Sequence, residues 1–357
     1  NNRIVSLAYD ETVRVWDTNS REVVATYSFY QPEDRIFPLI DWSQEAHVLM
    51  YETTGGAVGV RNFKTGEAWT VDLATTAAGA RIDATGTKLA ITSTTGKLYA
   101  YALTEDRKQF SPVELDYDSS VAAMGFDGDN LFVQDGRGGR LVFFNLTTGS
   151  KRQIALTLEQ LNRLTTAPTS PTGERWIAAG AGSGVVYLVD SKTGTHRTLR
   201  KFQDSTLSVE FSRDSTKVAA TSPDHTVRVW DVQTPSHRLL STTENPVVFT
   251  RYSADGKYLF SGDGNGNVNR QELSTQAAES FPGPDAKIGS VATGPTGAQL
   301  ALGYRNGEVW EWSNGGAKHH PDLHTDRVRD VTYAGNLLLS TGDDGQVISW
   351  PANNKPH

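Results

Sequence analysis

Short runs of alternating apolar and polar residues fill this chain, and turn-forming residues separate one run from the next. Residues 207–240 contain four such runs, with Asp, Ser, Pro and His at the breaks between them. Because an alternation with period 2 indicates half-buried β-strands, this segment is predicted to form four short strands. Residues 247–281 and 288–318 divide in the same way. The chain is therefore predicted to be all-β.

The groups of four runs recur at a regular interval. The third run of each group ends on a residue that is usually large, and consecutive end residues lie 38 to 45 positions apart. These marker residues are Trp16, Arg61, Tyr101, Phe144, Val189, Trp230, Gln271, Trp312 and Trp350. Four strands in a period of about 40–45 residues are typical of β-propeller blades. We therefore predict a β-propeller of about eight four-stranded blades.

One segment departs from the alternation. Residues 156–164 read Leu-Thr-Leu-Glu-Gln-Leu-Asn-Arg-Leu. This leucine-rich stretch predicts a short helix capped near Thr157 and inserted between two blades.

The number of blades stays open between two solutions, because nine third strands can be counted. A closed propeller usually completes one blade with strands from both ends of the chain, which removes exposed strand edges. In the eight-blade solution, residues 22–27 form the outer strand beside residues 347–350, and residues 1–17 are the end of a preceding blade or propeller in a tandem array. In the nine-blade solution, the missing strand lies upstream. In either case residues 1–357 are expected to form one repeat array, cut from a longer protein.

Two copies of one phrase stand out among the repeats. Residues 10–17 read Asp-Glu-Thr-Val-Arg-Val-Trp-Asp, and residues 224–231 read Asp-His-Thr-Val-Arg-Val-Trp-Asp. Weaker copies occupy residues 306–312 and 344–350. Together with Phe-Ser-Arg-Asp at residues 211–214, these phrases resemble WD-repeat proteins, in the degenerate form of bacterial-type arrays. The resemblance covers essentially the whole chain, but it is strong in only a few blades.

The resemblance also implies a set of structural residues. In WD-repeat proteins a His, a Ser or Thr, an Asp and a Trp form a hydrogen-bonded tetrad within a blade. The residues that match this tetrad are His324, Ser340, Asp344 and Trp350 in the last repeat, Asp224 and Trp230 with Phe202 in place of the His, and Ser6, Asp10 and Trp16 in the first repeat. Because buried imidazole, carboxylate and indole groups need hydrogen-bond partners, we interpret these residues as structural.

Composition and charge narrow the classes of partner. The formal net charge is −7, which disfavours duplex DNA and anionic membranes as binding partners. The sequence contains no cysteine, so it forms neither a disulfide nor a thiolate zinc site. Neither an apolar run of membrane-spanning length nor a signal-peptide pattern occurs, and a cytoplasmic location is expected.

Two segments contain residue types that bind metals. Residues 319–324 include three histidines, and residues 263–267 read Asp-Gly-Asn-Gly-Asn, which places oxygen ligands at alternate positions. However, His324 already belongs to the implied tetrad, and Val268 and Ser274 stand where a calcium loop needs Gly and Glu. We interpret both segments as loops, and we expect no metal and no cofactor.

Thr-Gly turns after several third strands favour a rival family. These turns, at residues 65–66, 148–149 and 193–194, look like those of quinone-cofactor dehydrogenase propellers and of outer-membrane assembly propellers. A dehydrogenase also needs a coordinated cation and an aromatic platform for its cofactor, and neither can be assembled from this sequence. Glycine at a left-handed turn position explains the pattern by itself.

Candidate partner-binding residues are expected on one face of the propeller. In WD-repeat proteins this loop face carries the turns between second and third strands and the connections from a fourth strand to the next first strand. Such loops vary without disturbing the sheets, and Tyr, Trp and Arg are frequent in binding hot spots. The residues that we place on this face as contacts are Tyr30, Arg35, Arg137, Arg140, His225, Tyr304, Arg305 and Arg327.

The function predicted from these observations is non-catalytic. We expect a protein-protein interaction platform, scaffold or sensor domain that binds a protein or peptide on its loop face. Two other classes stay open. One is a propeller enzyme, such as a quinone-type dehydrogenase, a hydrolase or a lactonase, and the other is an envelope assembly propeller.

Overall fold

The structure is a computed structural model, and all statements below concern the residues that it describes. These are residues 3–8, 12–17, 20, 22–28, 40–43, 46–52, 57–73, 77–104, 109–117, 119–136, 139–157, 161–166, 176–199, 202–234, 237–313, 316–320 and 324–350. The chain divides into two compact units. One contains Leu7–Val15 and Val23–Gln160, and the other contains Asn1–Ser6, Trp16–Glu22 and Leu161–His357.

The first of these units contains three four-stranded antiparallel sheets, which we number 2 to 4 in chain order. Sheet 2 consists of β4 (Ile40–Ser43), β5 (Val48–Glu52), β6 (Val58–Asn62) and β7 (Ala68–Val71). Sheet 3 consists of β8 (Ala77–Ile82), β9 (Lys88–Ser93), β10 (Leu98–Leu103) and β11 (Phe110–Val113). Sheet 4 consists of β12 (Val121–Asp127), β13 (Asn130–Asp135), β14 (Gly139–Asn145) and β15 (Lys151–Thr157).

The second unit contains sheets 5 to 9, of which the last has three strands among the described residues. Sheet 5 consists of β16 (Leu161–Thr166), β17 (Trp176–Ala181), β18 (Val186–Asp190) and β19 (His196–Leu199). Sheet 6 consists of β20 (Ser208–Phe211), β21 (Lys217–Thr221), β22 (Thr226–Asp231) and β23 (His237–Thr242). Sheet 7 consists of β24 (Val247–Tyr252), β25 (Tyr258–Asp263), β26 (Val268–Glu272) and β27 (Ala278–Phe281). Sheet 8 consists of β28 (Ile288–Thr293), β29 (Leu300–Tyr304), β30 (Val309–Ser313) and β31 (Gly316–His320), and sheet 9 of β32 (Val328–Ala334), β33 (Leu337–Gly342) and β34 (Val347–Trp350).

Sheet 1 consists of three strands, β1 (Arg3–Ala8), β2 (Thr12–Asp17) and β3 (Val23–Ser28). The pairing expected in the eight-blade solution, residues 22–27 beside residues 347–350, is therefore wrong for the described strands. β3 pairs with β2 instead, and the Asp17 N–H donates to the Glu22 carbonyl over 3.0 Å at the hairpin. A hairpin between strands adjacent in sequence closes a short loop and loses little chain entropy. Trp16 marks β2 as a third strand, so β1 to β3 are the last three strands of a blade.

The marker residues found in the sequence occupy one structural position. In sheets 2 to 9 each marker lies directly opposite an aliphatic residue of the second strand. The pairs are Arg61–Leu49, Tyr101–Leu89, Phe144–Leu131, Val189–Ile177, Trp230–Val218, Gln271–Leu259, Trp312–Leu300 and Trp350–Leu338. The common register confirms that the sequence period is a structural repeat of four antiparallel strands.

The hydrophobic cores lie between consecutive sheets of each unit. Trp230, for example, packs with Leu188 of sheet 5 and Val209 of its own sheet, and Trp312 packs with Phe249 and Phe260 of sheet 7. Second strands are consequently buried on both faces; Ile177, Ala178 and Ala179 of β17 are all 0% exposed. The strict alternation expected from the sequence holds better for a fourth strand such as β7, which is exposed and buried in turn. A sheet between two others has no solvent face, which explains why its second strand is continuously apolar.

The described residues of the segment predicted as a helix are extended instead. Residues 156–164 contain the end of β15 and the start of β16, and residues 158–160 lie outside the described part. Gly139 pairs with Thr157, and Leu161 pairs with Ala181. The ladder within sheet 4 and the ladder within sheet 5 therefore override the local preference of the leucines. In the described parts of the chain no helix is both long enough and apolar enough to span a membrane.

Candidate functional site

Four side chains in and beside sheet 9 form a continuous chain of hydrogen bonds. His324 Nδ1 lies 3.0 Å from both carboxylate oxygens of Asp344, and His324 Nε2 lies 2.8 Å from the Ser340 hydroxyl. The Trp350 indole N–H donates to the same hydroxyl over 2.8 Å. Because a carboxylate only accepts hydrogen bonds, the contacts with Asp344 assign the proton of a neutral His324 to Nδ1, and the Ser340 hydroxyl donates to Nε2 while it accepts from Trp350. The structure thus brings together the four residues of the expected tetrad.

Asp344 also fixes two segments of backbone. Its Oδ1 accepts the Gln346 N–H over 3.1 Å, and its Oδ2 accepts the Thr325 N–H over 3.0 Å. Burial would raise the pKa of Asp344, but the Gln346 N–H, the His324 ring and the Thr325 N–H hold this pKa below its ordinary value. The carboxylate therefore ties the turn between β33 and β34 to the connection that precedes β32.

The order Ser340–His324–Asp344 has the connectivity of a hydrolytic triad, so its accessibility decides what it can do. A nucleophilic serine must reach a substrate carbonyl. Ser340 is only 1% exposed and His324 4%, and the serine hydroxyl is already saturated by Trp350 and His324. This burial favours a structural role for the three residues.

The first repeat is described only in part. Asp10 lies outside the described residues, and Ser6 lies in β1 without a described side chain. Trp16 is half-buried in β2. A tetrad in sheet 1 therefore stays a prediction.

The expected partner-binding residues are distributed unevenly. Tyr30, Arg35 and Arg137 lie outside the described residues. Arg140 forms an ion pair with the Asp135 carboxylate, whose side chain is 1% exposed, while the Arg140 side chain is 43% exposed. Part of the Arg140 guanidinium is therefore committed to its own sheet.

Tyr304 is wrongly placed by the sequence prediction, because it is not a surface residue. It is 0% exposed and packs in the core between sheets 7 and 8. Its hydroxyl donates to the Gly266 carbonyl over 2.9 Å. The phenol therefore satisfies a buried carbonyl in the turn of the neighbouring sheet. Tyr304 is the last residue of an apolar second strand, and this position explains its burial.

Arg305 and His225 lie in or beside turns between second and third strands, and Arg327 lies directly before the first strand β32. Arg305 is exposed, and its backbone N–H donates to the Lys287 carbonyl over 2.9 Å. Arg327 is half-buried and its Nη2 lies 3.0 Å from Asp343 Oδ2. His225 is half-buried, with Nδ1 3.2 Å from the Thr243 carbonyl oxygen. These residues belong to the end of the sheets that we defined as the loop face.

His225 has an unusual backbone conformation for its residue type. Its φ is +68°, in the left-handed region that favours glycine. The corresponding turn position holds glycine at positive φ in the other sheets of the same unit: Gly184, Gly266, Gly307 and Gly345. A non-glycine residue in this region costs of order 1 kcal/mol or more. Sheet 6 alone of these five thus keeps a side chain there.

The two segments with metal-binding residue types bind their own neighbours instead. The ring of His319 lies 4.9 Å from that of Trp310, and His320 Nε2 lies 3.4 Å from Glu311 Oε2, whereas His324 belongs to the tetrad. Asp263 accepts the backbone N–H groups of Asn265 and Asn267, both over 2.9 Å. Among the described residues no group of His, Asp and Glu has the arrangement of a metal site.

Comparison with known proteins adds one family match. Residues 196–231 match the family described as "WD domain, G-beta repeat". Residues 196–231 are therefore similar to a WD repeat. Other proteins are similar to this chain over longer segments. The "WD repeat-containing protein SL1-17" of Schistosoma mansoni is 30% identical over 148 residues, which cover 40% of this chain and 48% of that protein.

Two further relatives of this chain are subunits of a complex by name. "Target of rapamycin complex subunit wat1" of Schizosaccharomyces pombe is 28% identical over 188 residues, which cover 51% of this chain and 58% of wat1. "Target of rapamycin complex subunit LST8" of Saccharomyces cerevisiae is 27% identical over 219 residues, which cover 59% of this chain and 71% of LST8. The chain thus spans little more than half of wat1. All three relatives are eukaryotic, so they give no support to a bacterial-type array.

Solved structures support the fold predicted for this chain. The computationally designed Ika8 protein matches with a TM-score of 0.64 at 17% identity, over 88% of this chain and 95% of the designed chain. A chain of the mitotic checkpoint complex matches with a TM-score of 0.54 at 15% identity, over 92% of this chain and 98% of that chain. Such identities bear on the fold alone, and together with the antiparallel sheets they confirm the predicted β-propeller.

The matched WD repeat does not coincide with one sheet. Residues 196–231 begin with β19, the fourth strand of sheet 5, and continue through the first three strands of sheet 6. Leu199 of β19 packs with Trp230 of β22 in the core between these two sheets. One sequence repeat therefore contributes to two neighbouring blades, and it joins them through their common core.

The WD repeat keeps the aspartate and the tryptophan but lacks the tetrad's hydrogen bonds. Asp224 accepts the N–H groups of Thr226 and Gln203, over 3.0 and 2.8 Å, as Asp344 does from the corresponding residues. The same register places Phe202 where His324 stands, and its ring meets that of Trp230 edge-on at 5.7 Å. Ala220 corresponds to Ser340, because both lie two residues after the partner of the marker tryptophan. The buried Trp230 Nε1 consequently has no hydrogen-bond partner.

A feature that sequence reasoning missed lies at the loop-face end of the sheets. Six first strands contain a β-bulge near their beginning, where the ladder skips one residue. The skipped residues are Ala78, Ala122, Asn162, Val248, Gly289 and Arg329. A bulge frees its residue from the ladder and re-aims it. Val248, at 40% exposure, is one of the few exposed large apolar side chains. No composition signal marks these positions, and only their repetition at the structural period could have revealed them.

Proposed function

We propose that this chain is a non-catalytic interaction platform, a scaffold or sensor domain that binds a protein partner on its loop face. The observation that carries the proposal is the similarity to two proteins named as subunits of the target of rapamycin complex. Subunits of a complex contact one another, and a propeller offers its loop face for such contacts. The buried tetrad offers no accessible nucleophile, which supports the non-catalytic assignment.

The frame of the loop face suits such a role because its turns are anchored by backbone. The Gly264 N–H donates to the Pro246 carbonyl, the Arg305 N–H to that of Lys287, and the Asp343 N–H to that of Arg327. In each of these three sheets the turn after the second strand is thus bonded to the residue that precedes the first strand. Side chains at these positions can vary while the backbone stays fixed, as binding loops on rigid scaffolds do.

The finer parts of the proposal concern residues and partners. We propose His225, Arg305, Arg327 and the exposed part of Arg140 as contacts, and we keep Tyr30, Arg35 and Arg137 as candidates. A protein or peptide is favoured over nucleic acid and membrane by the net charge of −7. Residues 1–357 are proposed to act as one repeat array in the cytoplasm.

Affinity capture from a lysate of the source organism tests the proposal. The baits are the full chain, the loop-face variant His225→Gly/Arg305→Ala, and the control variant Lys192→Ala/Lys257→Ala. His225→Gly installs the residue that the corresponding turns use, so its fold should be kept. Lys192 and Lys257 are exposed in turns at the opposite end of the sheets.

We expect a protein that is retained by the full chain and by the control variant but not by the loop-face variant. Binding of that protein in purified form, measured by calorimetry, would complete the test. Equal retention by all three baits would show that the loop face is not the contact. Retention of no protein by any bait would contradict the platform.

A further inference from the structure

Two cations stand side by side on the loop face of sheet 8. Lys287 is the residue before β28, Arg305 is the residue after β29, and the Arg305 N–H donates to the Lys287 carbonyl over 2.9 Å. Both side chains are exposed. Neither forms an ion pair within the described part of the chain, whereas Arg327 and Arg329 of sheet 9 do. Sheet 8 therefore presents two unneutralised positive charges on adjacent positions of one backbone frame.

The corresponding positions of sheet 9 show what such a corner binds. They are occupied by Arg327 and Asp343, whose backbones are joined by the same kind of hydrogen bond, 2.9 Å long. Arg327 contacts Asp343 Oδ2 through Nε at 3.1 Å and Nη2 at 3.0 Å, and Arg329 contacts Oδ1. The hydrogen bonds from Arg329 and then from Arg327 lower the pKa of Asp343. This corner thus holds one carboxylate between two guanidinium groups.

The two corners form one patch. Gly289 lies in the bulge of β28, and a methyl group added to it would stand 2.6 Å from the Val328 carbonyl oxygen. Val328 is flanked by Arg327 and Arg329, so the beginning of β28 lies against the beginning of β32. We call Lys287, Arg305, Arg327 and Arg329 the cationic corner.

Acidic residues neutralise only part of the cationic corner. Asp343 is held by Arg327 and Arg329, and the Asp326 carboxylate accepts the Arg327 backbone N–H over 2.7 Å. Asp285 is exposed two residues before Lys287. The positive charge of Lys287 and Arg305 is therefore a local exception on a chain of net charge −7.

The charges are not required by the repeat. The backbone bond that joins Arg305 to Lys287 joins Gly264 to Pro246 in sheet 7 and Gly136 to Ser120 in sheet 4. Those four residues carry no charge, yet their turns close in the same way. Uncharged residues at the positions of Lys287 and Arg305 therefore close the same backbone frame, and the two charges are not needed for it.

We propose that the cationic corner binds an acidic segment of the protein partner, with a carboxylate seated between Lys287 and Arg305. This inference rests on the proposed function and names the chemistry of its partner. Asp343 provides the geometry of a bound carboxylate within the same patch, and charge-assisted hydrogen bonds of this kind are strong and short. The two positive charges of Lys287 and Arg305 are neutralised by one or two carboxylates. A nucleic acid would need a longer series of phosphate contacts along a basic surface.

The test uses a fluorescein-labelled peptide of alternating glutamate and glycine, and the same peptide with glutamine as its neutral match. Its binding to the full chain is measured by anisotropy in low and high sodium chloride. The variants are Lys287→Glu/Arg305→Glu and the control Lys64→Glu/Lys192→Glu, which makes the same change of net charge at exposed turns elsewhere. Carbodiimide coupling then maps the lysines that touch a peptide carboxylate.

We expect the glutamate peptide to bind the full chain and the control variant with equal affinity. Its affinity for the Lys287→Glu/Arg305→Glu variant should be roughly tenfold lower, and high salt should weaken its binding to the full chain. Cross-links should concentrate on Lys287 and fall in Arg305→Glu. Equal binding of the glutamine peptide, cross-links spread over all exposed lysines, or tighter binding of a single-stranded oligonucleotide to the same residues would overturn the inference.

The inference and the proposed function can fail separately. A captured partner that depends on the loop face, yet binds the Lys287→Glu/Arg305→Glu variant as well as the full chain in low and high salt, would overturn the acidic-segment inference alone. A chain that binds the glutamate peptide at Lys287 but captures no partner through its loop face would contradict the platform itself.

Discussion

The indole N–H of Trp350 donates to the hydroxyl of Ser340 over 2.8 Å, inside a sheet from which water is excluded. Both residues are at most 4% exposed, so water could not replace this hydrogen bond if it were broken. We expect Trp350→Ala to destabilise the protein by about 3 kcal/mol or more, as truncations of large core residues do.

Ser340→Ala should cost about 1–3 kcal/mol, because it leaves the Trp350 indole N–H and the Nε2 atom of His324 without a partner. Urea denaturation followed by tryptophan fluorescence measures both variants. Thr332→Ala, at an exposed position of β32 in the same sheet, is the control and should change little. An unchanged midpoint for Trp350→Ala would contradict the structural role of the tetrad.

Trp230 lacks the partner that Trp350 has, and this difference can be repaired. Ala220 occupies the position of Ser340, so Ala220→Ser would give the orphaned indole N–H an acceptor. We expect this change to stabilise the protein by about 0.5–1.5 kcal/mol, the net value of an intramolecular hydrogen bond. Ala219→Ser is the matched control; its side chain points to the other face, where it packs with Tyr252 and Leu259, and the hydroxyl should destabilise. A loss of stability with Ala220→Ser would show that the two sheets are not equivalent at this position.

Tyr304 provides a test of burial against contact. Tyr304→Phe removes only the hydroxyl that donates to the Gly266 carbonyl, and we expect a loss of about 1–3 kcal/mol together with unchanged partner binding. Arg305→Ala, one residue later, should show the converse: stability within about 0.5 kcal/mol and weaker binding. Weaker partner binding by Tyr304→Phe at unchanged stability would show that Tyr304 contacts the partner and is not a buried structural residue.

The pH dependence of stability should carry the signature of Glu210. Desolvation raises its pKa to about 6 although Arg251 Nη1 lies 3.2 Å from its carboxylate. Because the folded state binds this proton more tightly than the unfolded state, whose value is 4.5, Glu210 stabilises the fold as the pH falls from about 6 to 4.5. Asp343, Asp344 and Glu311 act in the opposite sense, since their pKa values are lowered and their contribution is lost only as the pH falls through those lower values.

Comparison with Glu210→Gln isolates the Glu210 term, because the other carboxylates cancel. Relative to this variant, the unchanged protein should gain up to about 2 kcal/mol between pH 7 and pH 4.5. Chemical denaturation at several pH values measures the difference. A constant difference across that range would mean that Glu210 titrates normally.

The repeat was the part of the fold that the sequence could predict. A marker such as Trp312 or Trp350 recurs because one position in each sheet fills the core between neighbours, and that demand leaves a period in the sequence. The pairing of β3 with β2 was not predictable in the same way. Either partner for β3 satisfies the same alternation, and the short hairpin decides between them. The helix predicted for residues 156–164 was wrong for a related reason. The strand pairs with Gly139 and Ala181 are tertiary contacts, and a local sequence pattern does not record them.

The candidate site was predictable only where chemistry limits the residue type. His324, Ser340 and Asp344 could be assigned because a buried polar tetrad tolerates few alternatives. Tyr304 was misplaced because a tyrosine at the end of a strand has the same signature whether its ring faces the core or solvent. Lys287 escaped notice because its importance comes from Arg305, eighteen positions away, through a backbone hydrogen bond that only the folded chain shows.

Hydrogen exchange of the free and partner-bound chain tests the central claim, binding on the loop face, most directly. We predict that binding slows exchange in the turns that contain His225, Arg305 and Asp343. The turns at the opposite end, such as those with Asp214 and Asp255, should exchange as they do in the free chain. Protection confined to that opposite end, or protection at neither end, would contradict the loop face as the binding surface.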